Sequence, residues 1–303
     1  MQVTTTAEQL FFVTARLQGV GTTSNWVGTG FVYAVTTDRG TAHFLVTNKH
    51  VLDGAHTLHV SMIAAGPDGS AALGKPATIT WTGFSDQAWA GHPDPKVDVA
   101  ALSLSPLLNV MATQGTHAFF RTVDASLCVT PGRAAKLDAL ESVVFVGYPS
   151  GIYDTTNLIP IIRRGMTATP IAVDYRGLPA FLVDAAVFPG SSGSPVFLFD
   201  RGAYQERSGG TVVGTRLMLL GVLAAVHVQQ VEGRGHELPA RLAVDFDQPL
   251  GLGIVFRAET IEASIEPLLV RAGLARTADQ PPSGSAAPPS AADQALDKAT
   301  PPT

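Results

Sequence analysis

Cysteine is almost missing from this sequence. The one thiol, Cys128, has no partner within the chain, so no disulfide framework holds the fold. Charge is sparse as well: 15% of residues are charged, the formal net charge is −5, and no lysine/arginine run occurs anywhere. A nucleic-acid backbone needs clustered cations, so nucleic acid is excluded as a partner. The first residues, MQVTTTAEQLFFVTARL, lack a basic region followed by a long apolar core and do not read as a signal peptide. The longest apolar runs, such as Leu217–Val228, are too short to span a bilayer, which argues against a membrane partner. These absences together predict a soluble protein of a reducing compartment, a bacterial cytoplasm.

What is present is apolar material in short pieces. Hydrophobic residues make up 46% of 303, enough to bury a large core in one large all-β domain or two ordinary ones. Strands are expected at Leu10–Leu17, Val27–Val35, Ala42–Thr47, Thr57–Ile63, Ala77–Thr82 and Val97–Leu104. After Thr47 the pattern breaks into a short helical turn at Asn48–Leu52. Short strands with glycine-bearing turns suggest a closed barrel rather than a βαβ unit. From Pro106 to Arg121 the pattern weakens, which suits a connection between two halves. A second series follows at Ser126–Thr130, Ser142–Tyr148, Ile159–Thr169, Ala180–Phe188, Pro195–Phe199, Leu217–Val228 and Leu252–Phe256, with a surface hairpin over Asp200–Gly214 and a loop over Glu232–Leu238. Ala258–Leu274 carries Ile261, Ile265, Leu268 and Leu269 at helical spacing, with Pro267 as a kink or a break. The Pro/Ala/Ser-rich stretch after Thr277 is expected to be a disordered tail.

Phe188–Pro189–Gly190–Ser191–Ser192–Gly193–Ser194–Pro195 places small residues between two prolines and between two apolar runs. Such a turn can present a hydroxyl while its N–H groups converge beside it, as acyl transfer requires. Most Gly/Ser stretches are only flexible turns, so the rest of the chain must supply a base. His50 stands where an apolar strand passes into a turn, and a satisfied strand-end histidine is the plain alternative. Asp98 stands between Val97 and Val99, where a carboxylate is costly unless paired. The plain alternative for it is an exposed aspartate at a strand start, like Asp94. A serine becomes nucleophilic when a histidine takes its proton and a carboxylate orients that histidine.

These residues, in the order His50, Asp98, Ser192, resemble the chymotrypsin-like serine peptidases, and more closely their disulfide-free bacterial branch with the HtrA-type protease domain. Gly28–Thr29–Gly30–Phe31 is similar to that family's Gly-Ser-Gly-Phe strand. Thr47–Asn48–Lys49–His50–Val51 is similar to its Thr-Ala-Ala-His element, and Asp98–Val99–Ala100–Ala101–Leu102 to Asp-Ile-Ala-Leu-Leu. Val146–Gly147–Tyr148–Pro149 resembles a bacterial turn, Gly190–Ser191–Ser192–Gly193–Ser194–Pro195 resembles Gly-Asp/Asn-Ser-Gly-Gly-Pro, and Gly221–Val222–Leu223 the strand that walls the cleft. The resemblance covers Phe12 to Leu274, and nothing like an attached PDZ domain follows. Ser194 replaces a glycine. Ser191 replaces the aspartate that pairs with a new N-terminus in zymogen relatives, which questions the mode of activation.

The resemblance implies a two-barrel peptidase domain over 1–276, with barrels at 8–105 and 122–257, and a tail over 277–303. The expected architecture is all-β: two six-stranded antiparallel barrels, with a C-terminal helix at 258–274 packed against the second. It implies a serine endopeptidase acting on protein or peptide substrates without a cofactor or metal, with an oxyanion hole from the N–H groups of Gly190 and Ser192. The pocket floor, placed by family position, is Ala186, flanked by Val187 and walled by Ala224, Ala225 and Val226. That lining predicts a small or medium apolar residue before the cut, with Asp184 and His227 as the residues able to change that preference. A cytoplasmic enzyme of this kind requires narrow specificity or a regulatory protein partner. The alternative is a protease-fold binding module that is silent or waits for a partner. His56 and His59 lack companions at metal-ligand spacing. Cys128 reads as an inert strand thiol, and Arg163–Arg164 as a solvated pair of which the cleft could use one.

Overall fold

The computed structural model describes residues 1–234 and 243–277, with side chains outside 225–250. The expected disorder after Thr277 and most of the Glu232–Leu238 loop lie outside the described residues.

The first half holds α1 (Thr6–Gln9), β1 (Thr14–Val20), β2 (Asn25–Thr37), β3 (Gly40–Thr47), α2 (Lys49–Leu52), β4 (Thr57–Ala65), β5 (Ala71–Thr82), β6 (Trp89–Gly91) and β7 (Ala100–Ser103), then α3 (Ser105–Thr113) and β8 (Ala118–Phe119). The second holds α4 (Pro131–Ala134), β9 (Ser142–Gly147), β10 (Ile161–Thr167), β11 (Ala180–Asp184), β12 (Pro195–Asp200), the hairpin β13 (Ala203–Gln205) and β14 (Thr211–Val213), β15 (Arg216–Arg234), β16 (Ala243–Arg257) and α5 (Thr260–Ala272). The fold is mostly β, as the sequence predicts, and the hairpin falls inside the expected Asp200–Gly214 segment.

The second half closes into a six-stranded barrel in the order β10-β11-β16-β15-β12-β9. The first does not close, against the expectation of two six-stranded barrels. It is an eight-stranded sheet in the order β5-β4-β1-β2-β3-β7-β6, with β8 paired to β4. Its β6 edge is met by a side chain: Arg271 of α5 donates to the carbonyls of Gln87 at 2.7 Å and Trp89 at 3.0 Å. An edge covered in this way needs no further strand.

The helix α5 is also placed differently from the expectation. It lies chiefly along β6 and β7 of the first sheet rather than against the second barrel alone. Ile261, Ile265, Leu268 and Leu269 are buried along it, and the Ser264 hydroxyl donates to the Val99 carbonyl at 3.2 Å. The helix runs unbroken through Pro267 and ends at Gly273, whose φ of +63° suits a residue without a side chain. This seats α5 directly behind Asp98.

Two further segments depart from the sequence pattern. Leu10–Phe12 forms a 3₁₀ turn before β1 instead of the start of a strand. Ser126–Thr130 is not a strand; Cys128 makes only an isolated bridge to Leu219.

Two large cores hold the halves. One groups Leu17, Leu45, Leu58, Leu102 and Leu104 inside the first sheet. The other joins Phe145, Phe181 and Phe197 of the barrel to Phe31, Tyr33 and Phe44 of the first sheet, so the halves share one apolar mass. Each such side chain contributes about 1.5–3 kcal/mol by leaving water. That shared mass fixes the seam across which the candidate site is built.

Candidate active site

His50 lies on the single turn α2, directly after β3. Asn48 precedes it, fully buried, and its Nδ2 donates to the Asp98 carbonyl at 2.6 Å. Asp98 sits in the loop before β7, between Val97 and Val99, both 0% exposed. Those two anchors hold the backbone, and the carboxylate turns to His50. One oxygen accepts the His50 backbone N–H at 3.2 Å; the other meets the His50 ring Nδ1 at 2.5 Å. The pairing answers the cost of placing a carboxylate in an apolar run. It also selects the tautomer with the proton on Nδ1, leaving Nε2 as an acceptor. Asp94 is engaged elsewhere. Its carboxylate accepts the Lys96 N–H at 2.9 Å, and its carbonyl accepts from Lys49.

The turn carrying Ser192 is tied to the first sheet. The Thr29 N–H donates to the Ser192 carbonyl at 2.8 Å. The Thr29 hydroxyl donates to the Gly190 carbonyl at 2.9 Å and accepts the Tyr148 N–H at 3.2 Å. Gly193, with φ +86°, packs so closely on the Thr29 carbonyl and the Thr47 hydroxyl that a Cβ would collide with both. Thr47 ends β3, three residues before His50. Strand β3 thus leads to the histidine and touches the serine turn as well. Thr29, Thr47 and Asn48 are supporting residues that sequence reasoning did not single out, although each lies inside a quoted motif. A buried hydroxyl or amide in an apolar strand was the signal available.

At rest the Ser192 hydroxyl donates to the Ala224 carbonyl at 3.3 Å rather than to His50. Among the described residues, the N–H groups of Gly190 and Ser192 have no hydrogen-bond partner, whereas that of Ser191 donates to the Phe188 carbonyl at 3.0 Å. The Ser191 hydroxyl is buried without a partner.

Of the expected pocket residues, Ala186 and Val187 lie on the chain just before this turn, and Ala224, Ala225 and Val226 lie on β15. Ala186 is exposed, while Val187 and Ala224 are each 2% exposed. The side chains of Ala225, Val226 and His227 fall outside the described ones. Asp184 is exposed and pairs with Met166 across β10 and β11, so it shares the outer face with that residue.

Among the described residues, no group of three metal-ligating side chains occurs. His59 meets the Thr80 hydroxyl at 2.9 Å, and His56 stands by Thr57. Cys128 is half-buried beside the Tyr33 hydroxyl, and burial pushes its thiol up to about 11.

A family model for the trypsin-like peptidase domain matches residues 28–203, more than half of the chain, and includes His50, Asp98 and Ser192. The chain belongs to the trypsin-like peptidase family. No curated protein sequence matches it. Solved structures similar to it include the HtrA-type protease AlgW with a tripeptide, at 16% identity and TM-score 0.43, covering 88% of this chain and 63% of that one. The serine endoprotease from Yersinia pestis aligns at 15% identity and TM-score 0.42, covering 88% and 66%. The protease Anisep from Arthrobacter nicotinovorans aligns at 11% identity and TM-score 0.46, covering 86% and 96%. The chain thus spans less than two thirds of the length of the first two.

Proposed function

We propose that this chain is a serine endopeptidase that cleaves protein or peptide substrates through Ser192, His50 and Asp98. The observation that carries the reading is the 2.5 Å contact between His50 Nδ1 and Asp98 Oδ2, which leaves Nε2 as the base. Ser192 Oγ attacks the substrate carbonyl while His50 takes its proton. His50 then returns that proton to the leaving amine, and Asp98 stabilises the imidazolium. A water repeats the sequence to release the acyl group. The unpartnered N–H groups of Gly190 and Ser192 support an oxyanion-hole role for that turn. The hydroxyl must first leave the Ala224 carbonyl, which favours an enzyme completed by substrate or by a regulatory partner.

The exposed Ala186 with buried Val187 and Ala224 supports a pocket for a small or medium apolar residue before the cut. Among the described residues, Ala186, Val187 and Ala224 bring no carboxylate to receive lysine or arginine. Cytoplasmic residence in a bacterium completes the reading.

The test is fluorophosphonate labelling together with peptide hydrolysis. Wild-type Ser192 should be labelled. Ser192→Ala and His50→Ala should each lose about 10⁴- to 10⁶-fold in turnover, with the double variant little worse. Asp98→Asn should be severe and Asp94→Asn mild. An unlabelled, inert but folded wild type would favour the silent binding module instead.

A further inference from the structure

Arg163 and Arg164 are neighbours in sequence but occupy opposite faces of β10. Arg164 and Ile162 line a cavity of about 830 Å³ on the outer side, with Val144, Phe199 and Phe11. That cavity contains none of His50, Asp98 or Ser192. Arg163 and Gly165 face the other way. A Cβ on Gly165 would lie 2.6 Å from Ala185 Cβ, so this face abuts the chain that leads to the reactive turn. Two residues earlier on the same face, the Arg163 guanidinium carbon stands 4.9 Å from the centroid of the Phe188 ring. Phe188 is 38% exposed, a large apolar side chain left in water beside Pro189 and Gly190. The guanidinium therefore lies along Ala185–Phe188, the segment that holds the pocket residues Ala186 and Val187.

Two other arginines of this half are neutralised. Arg216 holds Glu141 and Asp200, each at 2.8 Å, and Arg257 holds Asp174 and Glu259. Among the described residues, Arg163 forms no ion pair. Asp184, the nearest acidic residue in sequence along that segment, is turned to the outer face with Met166. Stacking on a ring uses the guanidinium's flat face and leaves its in-plane N–H donors available. Those donors match a carboxylate in a fork geometry. The whole chain carries a formal net charge of −5, which repels acidic peptides at long range, so recognition of one must come from a local cation.

We infer that Arg163, held against Phe188, determines specificity by binding an aspartate or glutamate side chain of the substrate in a subsite that adjoins the Ala186–Val187 pocket. The inference rests on the peptidase reading given above and adds to it the chemistry of one further substrate residue.

The test is a peptide library with an apolar residue fixed before the cut and every residue scanned at the flanking positions. Wild type should favour Asp or Glu at one position by about 10- to 100-fold in kcat/KM, chiefly through KM, the worth of a charge-assisted hydrogen bond. Arg163→Met keeps an unbranched apolar stem beside Phe188 and should lose this discrimination. Arg163→Lys should keep part of it, and Arg163→Glu should shift the preference at that position to Lys or Arg. Arg164→Met, on the outer face, should behave as wild type. Fluorophosphonate labelling of each variant reports that the site is still assembled. A labelled wild type with no acidic preference overturns the inference alone, as does a preference that survives in Arg163→Met. A wild type that neither labels nor cleaves overturns the peptidase reading, and this inference with it.

Discussion

Replacing Thr29 with valine removes one hydroxyl and changes the side-chain volume very little. That hydroxyl is 0% exposed with its residue and serves two backbone groups: it donates to the Gly190 carbonyl at 2.9 Å and accepts the Tyr148 N–H at 3.2 Å. Valine leaves both groups buried without a partner. Each such group costs about 1–3 kcal/mol, so the substitution should destabilise by about 2–6 kcal/mol. That is a large share of the roughly 5–15 kcal/mol that holds an ordinary domain folded. The damage should also reach the chemistry. The Gly190 carbonyl belongs to the peptide that leads into Ser191, and releasing it lets the turn reorient around Ser192. Urea denaturation gives the stability change, and the rate of fluorophosphonate labelling at Ser192 gives the functional one. Thr29→Ser is the control, because it keeps the hydroxyl and loses about 1 kcal/mol for one methyl group. If Thr29→Val unfolds within about 0.5 kcal/mol of wild type and labels at the wild-type rate, the claim that this hydroxyl positions the turn is wrong.

Two further outcomes follow from burial. The Cys128 thiol, raised by burial to about 11, should be alkylated by iodoacetamide at pH 8 about two orders of magnitude more slowly than an ordinary cysteine of pKa about 8.5, and at the ordinary rate once unfolded; the ordinary rate in the folded protein would refute the buried setting. Burial lowers the His43 pKa, so the unfolded chain binds more protons below about pH 6.5, and stability should fall as pH drops through that value, then level off below the folded pKa. His43→Leu should flatten that part of a urea-midpoint profile between pH 5 and 8, and an unchanged slope would remove His43 as a cause.

The candidate triad was legible because each member interrupts an apolar run at a place where the interruption costs something. Asp98 between two fully buried valines asks for a partner, and His50 on the turn that follows β3 is the partner it finds. That the first sheet stays open was not legible. Strand spacing suggests a barrel but does not say what meets the outermost strand. Here β6 is only three residues long, and Arg271, far along the chain, reaches its Trp89 carbonyl. The same limit hid α3. Leu107 and Met111 are its buried residues, too few to impose a helical period on a stretch that begins Ser-Pro. Ser126–Thr130 erred in the other direction: its apolar residues read as a strand, but Leu127 and Cys128 pack onto the barrel core from an irregular segment.

The pair Arg163–Arg164 shows how a local reading and a three-dimensional one separate. In sequence they are one basic dipeptide, and a solvated turn is a fair account of it. In the barrel they belong to a strand, and the pleat sends their side chains apart. The sheet register decides which goes where. Arg164 pairs with Val144, whose side chain lines the outer cavity, while Arg163 pairs with Phe145, which is 1% exposed in the core. A charged side chain cannot follow Phe145 into the core unpaired. Its guanidinium instead stands over the Phe188 ring, 4.9 Å from the centroid. The cation beside the reactive turn is thus a consequence of strand parity, which appears only once β9 and β10 are set in register.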